Sequence, residues 1–547
     1  MDLPTNEPDP NPRRWWALAV LSVAVVVIGL DNTVLNVALP TLVTALHPSS
    51  SQLQWIADGY TLANAVLLLL GGAVGDRIGR RRTFVFGMAV FGAASLVSAL
   101  VTSAVGLIAA RAVMGLGAAF LMPATLSLIT STFTQPGERA RAIGVWSGVS
   151  GIGLAVGPLV GGVLLRHFWW GSVFLINVPV VVVALIAAPL VMRESRSDVP
   201  RRIDQAGVIL SAVGLTAIVY GVIEAPVRGW ASPLALGSLV GGLVVMALFV
   251  AVERTVTDPL VDVNFFRNRV FSAGSGAVAL VFFALFGVMY VLTQDLQFVQ
   301  GNDALGVGVR FTPLAISMAA GGPISARVAG RFGLRITMVA GLSLLATGIA
   351  LLLPVTATSG YLLIGLSFAC IGGGMGLTIA PASNAIMSSL PPNQTGSGSG
   401  LRSTVQFLGG AFGVAILGSL ATGGYHSRMD TALSGPALAG LPASAKHAAH
   451  DQIGGAATVA RQVGGGPGSL LTKVSNEAFV AGLHIVAVVG LVAVLLGMVV
   501  AATMIPRAPK AAVAPDSQWT GRRASAHRAA TTGRTAGLGP PLNGQSS

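Results

Sequence analysis

The chain has 547 residues, 53% of them apolar and only 10% charged, with a formal net charge of +13. Soluble proteins carry about 25% charged residues, so this composition excludes an ordinary cytosolic enzyme, and the apolar content excludes a disordered chain. One cysteine excludes an internal disulfide, and no Cys/His set has metal-ligand spacing.

About 20 apolar residues cross a bilayer, and apolar runs bounded by charge, Pro or Gly predict an all-α membrane protein with fourteen spans. They fall near 15–39, 53–74, 83–101, 104–128, 142–165, 170–191, 205–223, 233–252, 270–293, 306–326, 336–354, 361–381, 398–421 and 480–505. The runs are continuous rather than alternating, which favours helices over a β-barrel. The first is too long for a cleavable signal and leads into further spans.

Charge placement orients the chain. With residues 1–14 as a cytoplasmic N-terminus, most Lys and Arg fall in alternate connections, near 77–82, 139–141, 193–202, 254–269 and 327–335, and in a basic tail, 507–547. Cytoplasmic loops attract such residues. The basic excess is thus explained by topology, and no nucleic-acid partner is expected. The tail lacks apolar periodicity and reads as disordered. The long extracytoplasmic loop 422–479, rich in small residues, is expected to be loosely ordered. Abundant Arg, Ala and Gly with three Lys suit a bacterial cell membrane.

The connection after span 2, Gly72-Ala-Val-Gly-Asp76-Arg77-Ile-Gly79-Arg80, shares its Gly and Arg spacing with Gly322-Pro-Ile-Ser-Ala326-Arg327-Val-Ala-Gly330-Arg331 after span 10. This suggests two related six-helix halves, 15–191 and 270–506, with spans 7–8 and their connectors inserted at 192–269. Transporters are often built from such repeats.

At these residues the chain resembles the major facilitator superfamily, and within it the fourteen-helix drug:proton antiporters. The stretch from Gly72 to Arg82 is similar to that family's loop 2–3 signature. Leu30-Asp31-Asn-Thr33-Val34-Leu-Asn36-Val37-Ala38-Leu39-Pro40 resembles its first-helix motif. Arg111-Ala-Val-Met114-Gly115 resembles its helix 4 motif, with Met114 where Gln is usual. Gly148, Gly153, Gly157-Pro158 and Gly161-Gly162 resemble its helix 5 antiporter motif, and Ile176-Asn177-Val178-Pro179 its helix 6 opening.

Asp31 lies well inside span 1, where ionisable residues are costly and mark ion pathways. A buried carboxyl can bind and release protons as its surroundings change; the alternative is a fixed interhelical hydrogen-bond network. Asp58, in Trp55-Ile-Ala-Asp58-Gly-Tyr60, invites proton coupling or cation recognition, although an acid near a helix N-terminus is also favoured by the dipole. Trp55 and Tyr60 suit an interfacial belt. Arg111 is always charged and needs a carboxylate or carbonyl partner at its depth. Asp31, Asp58 and Arg111 are placed at similar depths. The resemblance implies that Arg111 governs the proton on the helix 1 acid. It implies too that Gly72, Asp76, Arg77, Gly79 and Arg80 form a cytoplasmic gate, in which Asp76 pairs with a helix of the other half. Gly148, Gly153, Gly157, Pro158 and Gly161 make helix 5 smooth and bendable, and generic packing is the plainer reading. In span 13, Arg402 stands where several cation exporters carry acids, and it is expected to snorkel, as is Arg310.

The resemblance, taken with these residues, implies a proton-coupled exporter of amphipathic small molecules, acting by alternating access as a monomer in the bilayer. A dedicated exporter of an endogenous antibiotic is the alternative, and a membrane-embedded enzyme or a channel is disfavoured. No Walker-type phosphate loop is present, so the expected energy source is the proton gradient, with no cofactor or metal.

Overall fold

The computed structural model describes residues 13–196, 203–389 and 395–506. The expected tail and residues 1–12 of the expected N-terminus lie outside these. Each predicted span falls on a helix: α1 Arg14–Leu46, α2 Ser50–Ile78, α3 Arg80–Leu100, α4 Ala104–Thr132, α5 Pro136–His167 and α6 Ser172–Val191. After these come α7 Gln205–Arg228, α8 Pro233–Glu253, α9 Arg269–Gln294, α10 Ala304–Phe332 and α11 Leu334–Ala350. The last are α12 Tyr361–Ser388, α13 Thr395–Leu433 and α14 Gly465–Met504. Among the described residues, twelve helices are long and apolar enough to cross a membrane. The shorter α11 and the helix α5 are outside that twelve, so fourteen crossings exceed what length and apolarity support.

Local chemistry starts these helices where the sequence turns polar. Ser49 and Gln52 form a reciprocal capping box at α2, satisfying two of the N–H groups a helix start leaves free. Ser103, Asp204, Ser232 and Asn268 accept backbone N–H groups at α4, α7, α8 and α9. Two of the turns that need glycine lie at matching places: Gly79 between α2 and α3 at φ +119° and Gly333 between α10 and α11 at φ +85°.

The helix pairings repeat after eight helices. Contacts of α1 with α5, α2 with α4, α3 with α4 and α3 with α6 recur as α9 with α13, α10 with α12, α11 with α12 and α11 with α14. The halves meet where α2 packs on α13 and α5 on α10, while α7 pairs with α8 and covers α2 and α13. Outward-facing apolar side chains such as Leu243 and Val244 of α8 are exposed, as a lipid-facing surface requires.

The region 422–479 is more ordered than its composition suggests. Helix α13 continues to Leu433, α14 begins at Gly465, and two short helices, Ala443–Asp451 and Ile453–Val463, fill the interval. They are pinned by Gln452 donating to the Pro48 carbonyl at 2.7 Å, and by Ser50 donating to Asp451 through N and Oγ at 3.2 and 3.1 Å. Hydrogen bonds across the halves cluster at this end, here called distal; Gln297 also donates to the Val37 carbonyl at 2.9 Å. Arg14 and Glu138, paired at 2.8 Å, mark the opposite, proximal end.

Candidate functional site

Helix α1 carries Asp31 in the middle of the N-terminal half, and α4 brings Arg111 to it. Both are almost wholly buried, at 2% and 1% exposure. Arg111 Nη1 donates to Asp31 Oδ2 at 2.5 Å and Nε to the Ile56 carbonyl at 3.3 Å. The guanidinium lies 4.6 Å from the Tyr60 ring centroid, a favourable cation–π geometry. Asn177, on α6, donates to Asp31 Oδ1 at 3.5 Å and to Ser95 Oγ at 3.1 Å. Five helices thus converge on one ion pair. Neither charge has water to fall back on, so each depends on the other.

Asp58 stands apart from this pair. Ile56 and Tyr60 of α2 face Arg111, and residues two apart on a helix point to different sides. Asp58 therefore faces the seam with the other half, fully buried, and neither carboxyl oxygen has a hydrogen-bond partner among the described residues. Thr61, one turn on, lies beside Gly410 of α13. Asn64 is buried as well, with both amide atoms unpartnered. Tyr60 is buried beneath Arg111, so it is not the interfacial-belt residue its neighbourhood suggests; Trp55 packs against Tyr220 of α7.

The glycines of α5 place α1. A Cβ on Gly153 would meet the Val26 carbonyl, one on Gly157 would meet Thr33 and the Leu30 carbonyl, and one on Gly161 the Val34 carbonyl. This row, four residues apart, lets α5 lie flat along α1 beside Asp31. Pro158 and Gly162 face the other way and meet Gly308 and Ala304 of α10. Gly148 lies on the same helix.

At the proximal end Asp76 accepts from Arg80 Nε and Nη2 at 3.1 and 2.9 Å. It is held by its own motif, not by the other half as the resemblance implies. Glu194 accepts the Arg81 backbone N–H at 3.0 Å and lies 3.7 and 3.8 Å from the Arg81 and Arg82 guanidinium groups. Arg77 is exposed, and Gly72 packs near Pro123.

The repeat corrects the sequence alignment by one helical turn. Thr83 bonds to the Gly79 carbonyl through N and Oγ1, as Thr337 does to Gly333. The counterpart of Asp76 is then Gly330, not Ala326. Gly409 and Gly413 meet the Ala279 and Phe283 carbonyls as Gly153 and Gly157 meet Val26 and Leu30, which makes Ala284 the counterpart of Asp31. Gly372 sits against the Leu314 carbonyl as Gly115 does against that of Tyr60, which makes Phe368 the counterpart of Arg111. Phe368 is buried and pairs with Phe311 at 4.6 Å. The buried ion pair thus has an apolar counterpart in the second half. Arg402 does not snorkel freely: its Nε donates to Ser383 Oγ at 2.7 Å. Arg310 lies over the ring of Tyr361, which donates to its carbonyl at 2.6 Å.

Two repeat-related helical halves joined along two seams, with a buried Asp–Arg pair in the first, define a multi-pass membrane transporter. The sequence model of the Major Facilitator Superfamily matches residues 21–414. The chain belongs to that superfamily and is a transporter, not an enzyme. It is 40% identical over 418 residues to the puromycin resistance protein Pur8 of Streptomyces alboniger, covering 76% of this chain and 83% of that one. It is 35% identical over 483 residues to the multidrug efflux pump LfrA of Mycolicibacterium smegmatis, covering 88% and 94%. The fold matches a bacterial homologue of the human lysosomal transporter Spinster at TM-score 0.64 and 17% identity, covering 90% of this chain and 98% of that one.

Proposed function

We propose that the chain is a drug:proton antiporter that exports amphipathic small molecules by alternating access across fourteen helices, with both termini cytoplasmic. The observation that carries this reading is the buried Asp31–Arg111 pair together with a separate, unpartnered and buried Asp58 toward the seam between the halves. A charged carboxylate at Asp58 needs a proton or a cation to offset it, which makes it the group exchanged between proton and substrate. Arg111 holds Asp31 ionised in this arrangement; a shift of α4 against α1 would free the acid to take a proton. The Asp76–Arg80 pair, closed within its own motif, suits a proximal gate that is unlatched while the distal end is tied.

The direction of transport rests on the glycine row of α5 and on relatives named for drug resistance and efflux. Export of a self-made antibiotic is a second reading, favoured by the relative named for puromycin resistance. The driving force is the proton gradient, with no cofactor. One proton entering down 100 mV supplies about 2.3 kcal/mol, enough for a roughly fifty-fold gradient of a neutral substrate at about 1.4 kcal/mol per tenfold, whereas a monovalent cation exchanged one for one is driven by the pH difference alone. The test is a resistance screen in an efflux-deficient host. Wild type should raise the inhibitory concentration of at least one lipophilic cation or antibiotic, and Asp31→Asn at equal membrane abundance should not. Equal resistance from both proteins would refute the role of Asp31.

A further inference from the structure

A cavity of about 30 Å³ lies under the distal helices, lined by Ser50, Tyr290, Gln294, Thr422, Asp451 and Gln452 among others. A water needs about 10–15 Å³ of such volume and two to four polar partners, so the cavity has room for about two. Its wall toward the surface is Asp451, half-buried at the end of helix Ala443–Asp451. Its wall toward the interior is Tyr290, whose ring lies with the Gln54 side chain of α2 against Gly418 of α13. Ser50, which lines the cavity, Gln54 and Asp58 follow at four-residue spacing along one face of α2, so Asp58 lies eight residues, or roughly 12 Å at 1.5 Å per residue, deeper.

We propose that the distal segment 443–463 supplies the proton entrance for Asp58, along Asp451, cavity water and Tyr290. This rests on reading Asp58 as the exchanging carboxylate. The Asp451 carboxylate takes a proton from the distal solution. Water in the cavity passes a proton on by breaking one O–H bond as the next forms. The Tyr290 hydroxyl donates its proton inward as it accepts one from water. A second water carries a proton across the gap to Asp58, whose oxygens touch no donor among the described residues, and the Asp58 carboxylate ends as the neutral acid. No other bond changes.

The groups around Asp451 come from several helices, and the buried Asp295 directly follows Gln294 of the cavity wall. From α2, the Ser50 N–H and hydroxyl bind Asp451. From α13, the Tyr425 hydroxyl donates to the Ala449 carbonyl at 2.7 Å, and His426 Nε2 lies 3.0 Å from the Asp451 carbonyl. His450, next to Asp451, stacks on His426 and reaches Asp430 at 3.0 Å. From α14, Phe479 is the apolar wall.

The experiment is time-resolved infrared spectroscopy of the full chain in proteoliposomes after an acid jump on the distal side, with the Asp58 carboxyl band assigned by Asp58→Asn. Asp451→Asn keeps an acceptor for Ser50, and Tyr290→Phe keeps the ring. Each should slow protonation of Asp58 about tenfold or more while the final extent is unchanged. Wild-type rates in both variants would overturn the path and leave the exchange role of Asp58 standing. A wild-type protein without an Asp58 band would overturn both.

Discussion

Removing both charges of the Asp31–Arg111 pair should cost less than the sum of removing each alone. With the partners 1–2% exposed, Asp31→Asn leaves a buried guanidinium holding the Ile56 carbonyl and the Tyr60 ring, and Arg111→Gln leaves a bare carboxylate with Asn177 alone. Breaking a buried pair from one side costs about 3–5 kcal/mol. For Asp31→Asn, the retained Tyr60 contact, worth about 2 kcal/mol when desolvated, puts the loss near the lower bound. The double variant carries no buried charge, so its loss should fall short of the sum of the singles by about 2–3 kcal/mol. The assay is a double-mutant cycle by steric-trap unfolding in bicelles, with drug/proton exchange measured on the same preparations. The double variant should be folded yet unable to exchange. Coupling below about 0.5 kcal/mol would refute the paired-charge reasoning, and wild-type exchange by the double variant would reduce the pair to a structural tie.

Close helix approach makes a graded prediction. A Cβ at Gly413 meets the backbone of Phe283, one at Gly157 meets chiefly the Thr33 side chain, and one at Gly322 meets nothing within 4 Å. Gly413→Ala should therefore lose about 1–3 kcal/mol, Gly157→Ala less because Thr33 can turn, and Gly322→Ala almost nothing, as read by thermal aggregation in one detergent. Asp76→Asn breaks an i,i+4 pair whose side chains are 21% and 41% exposed, so it should cost under about 0.5 kcal/mol but sharply lower transport if Asp76 is a latch; unaltered transport would remove that role. His450 is held below its ordinary 6.5 by burial and then by neighbouring His426. Its neutral form is therefore the one the distal helices favour: their tie should be full above pH 6.5 and weaken as pH falls through the folded value. Hydrogen-exchange protection over 443–451, taken relative to intrinsic rates at each pH, should fall in acid, and His450→Gln should flatten that dependence.

Much of the helical plan was legible because apolar runs, helix caps and glycine turns are local signals. The union of Asp31 with Arg111 was also within reach, since a buried arginine demands a partner and few acids share its depth. Asp58 is legible as an acid at the same depth, but depth along a helix says nothing about direction around it. Its separation follows from two residues of rotation. The half-repeat was visible in its Gly and Arg spacing, but the alignment slipped by one turn, because Gly330 and Gly333 compete for the place of Gly79 and only backbone conformation decides. The order in 422–479 was hidden by small residues that look loop-like, yet permit short helices to pack closely and tie back to α2.

The central claim is that protons move through this chain in exchange for drug. Purified protein in proteoliposomes with an acidic interior and a pH-sensitive dye, challenged with external ethidium, tests it most directly. Ethidium uptake into the acidic lumen should release protons in proportion, and Asp31→Asn should abolish both. Ethidium accumulation without proton release, or at an equal rate without the gradient, would contradict the account.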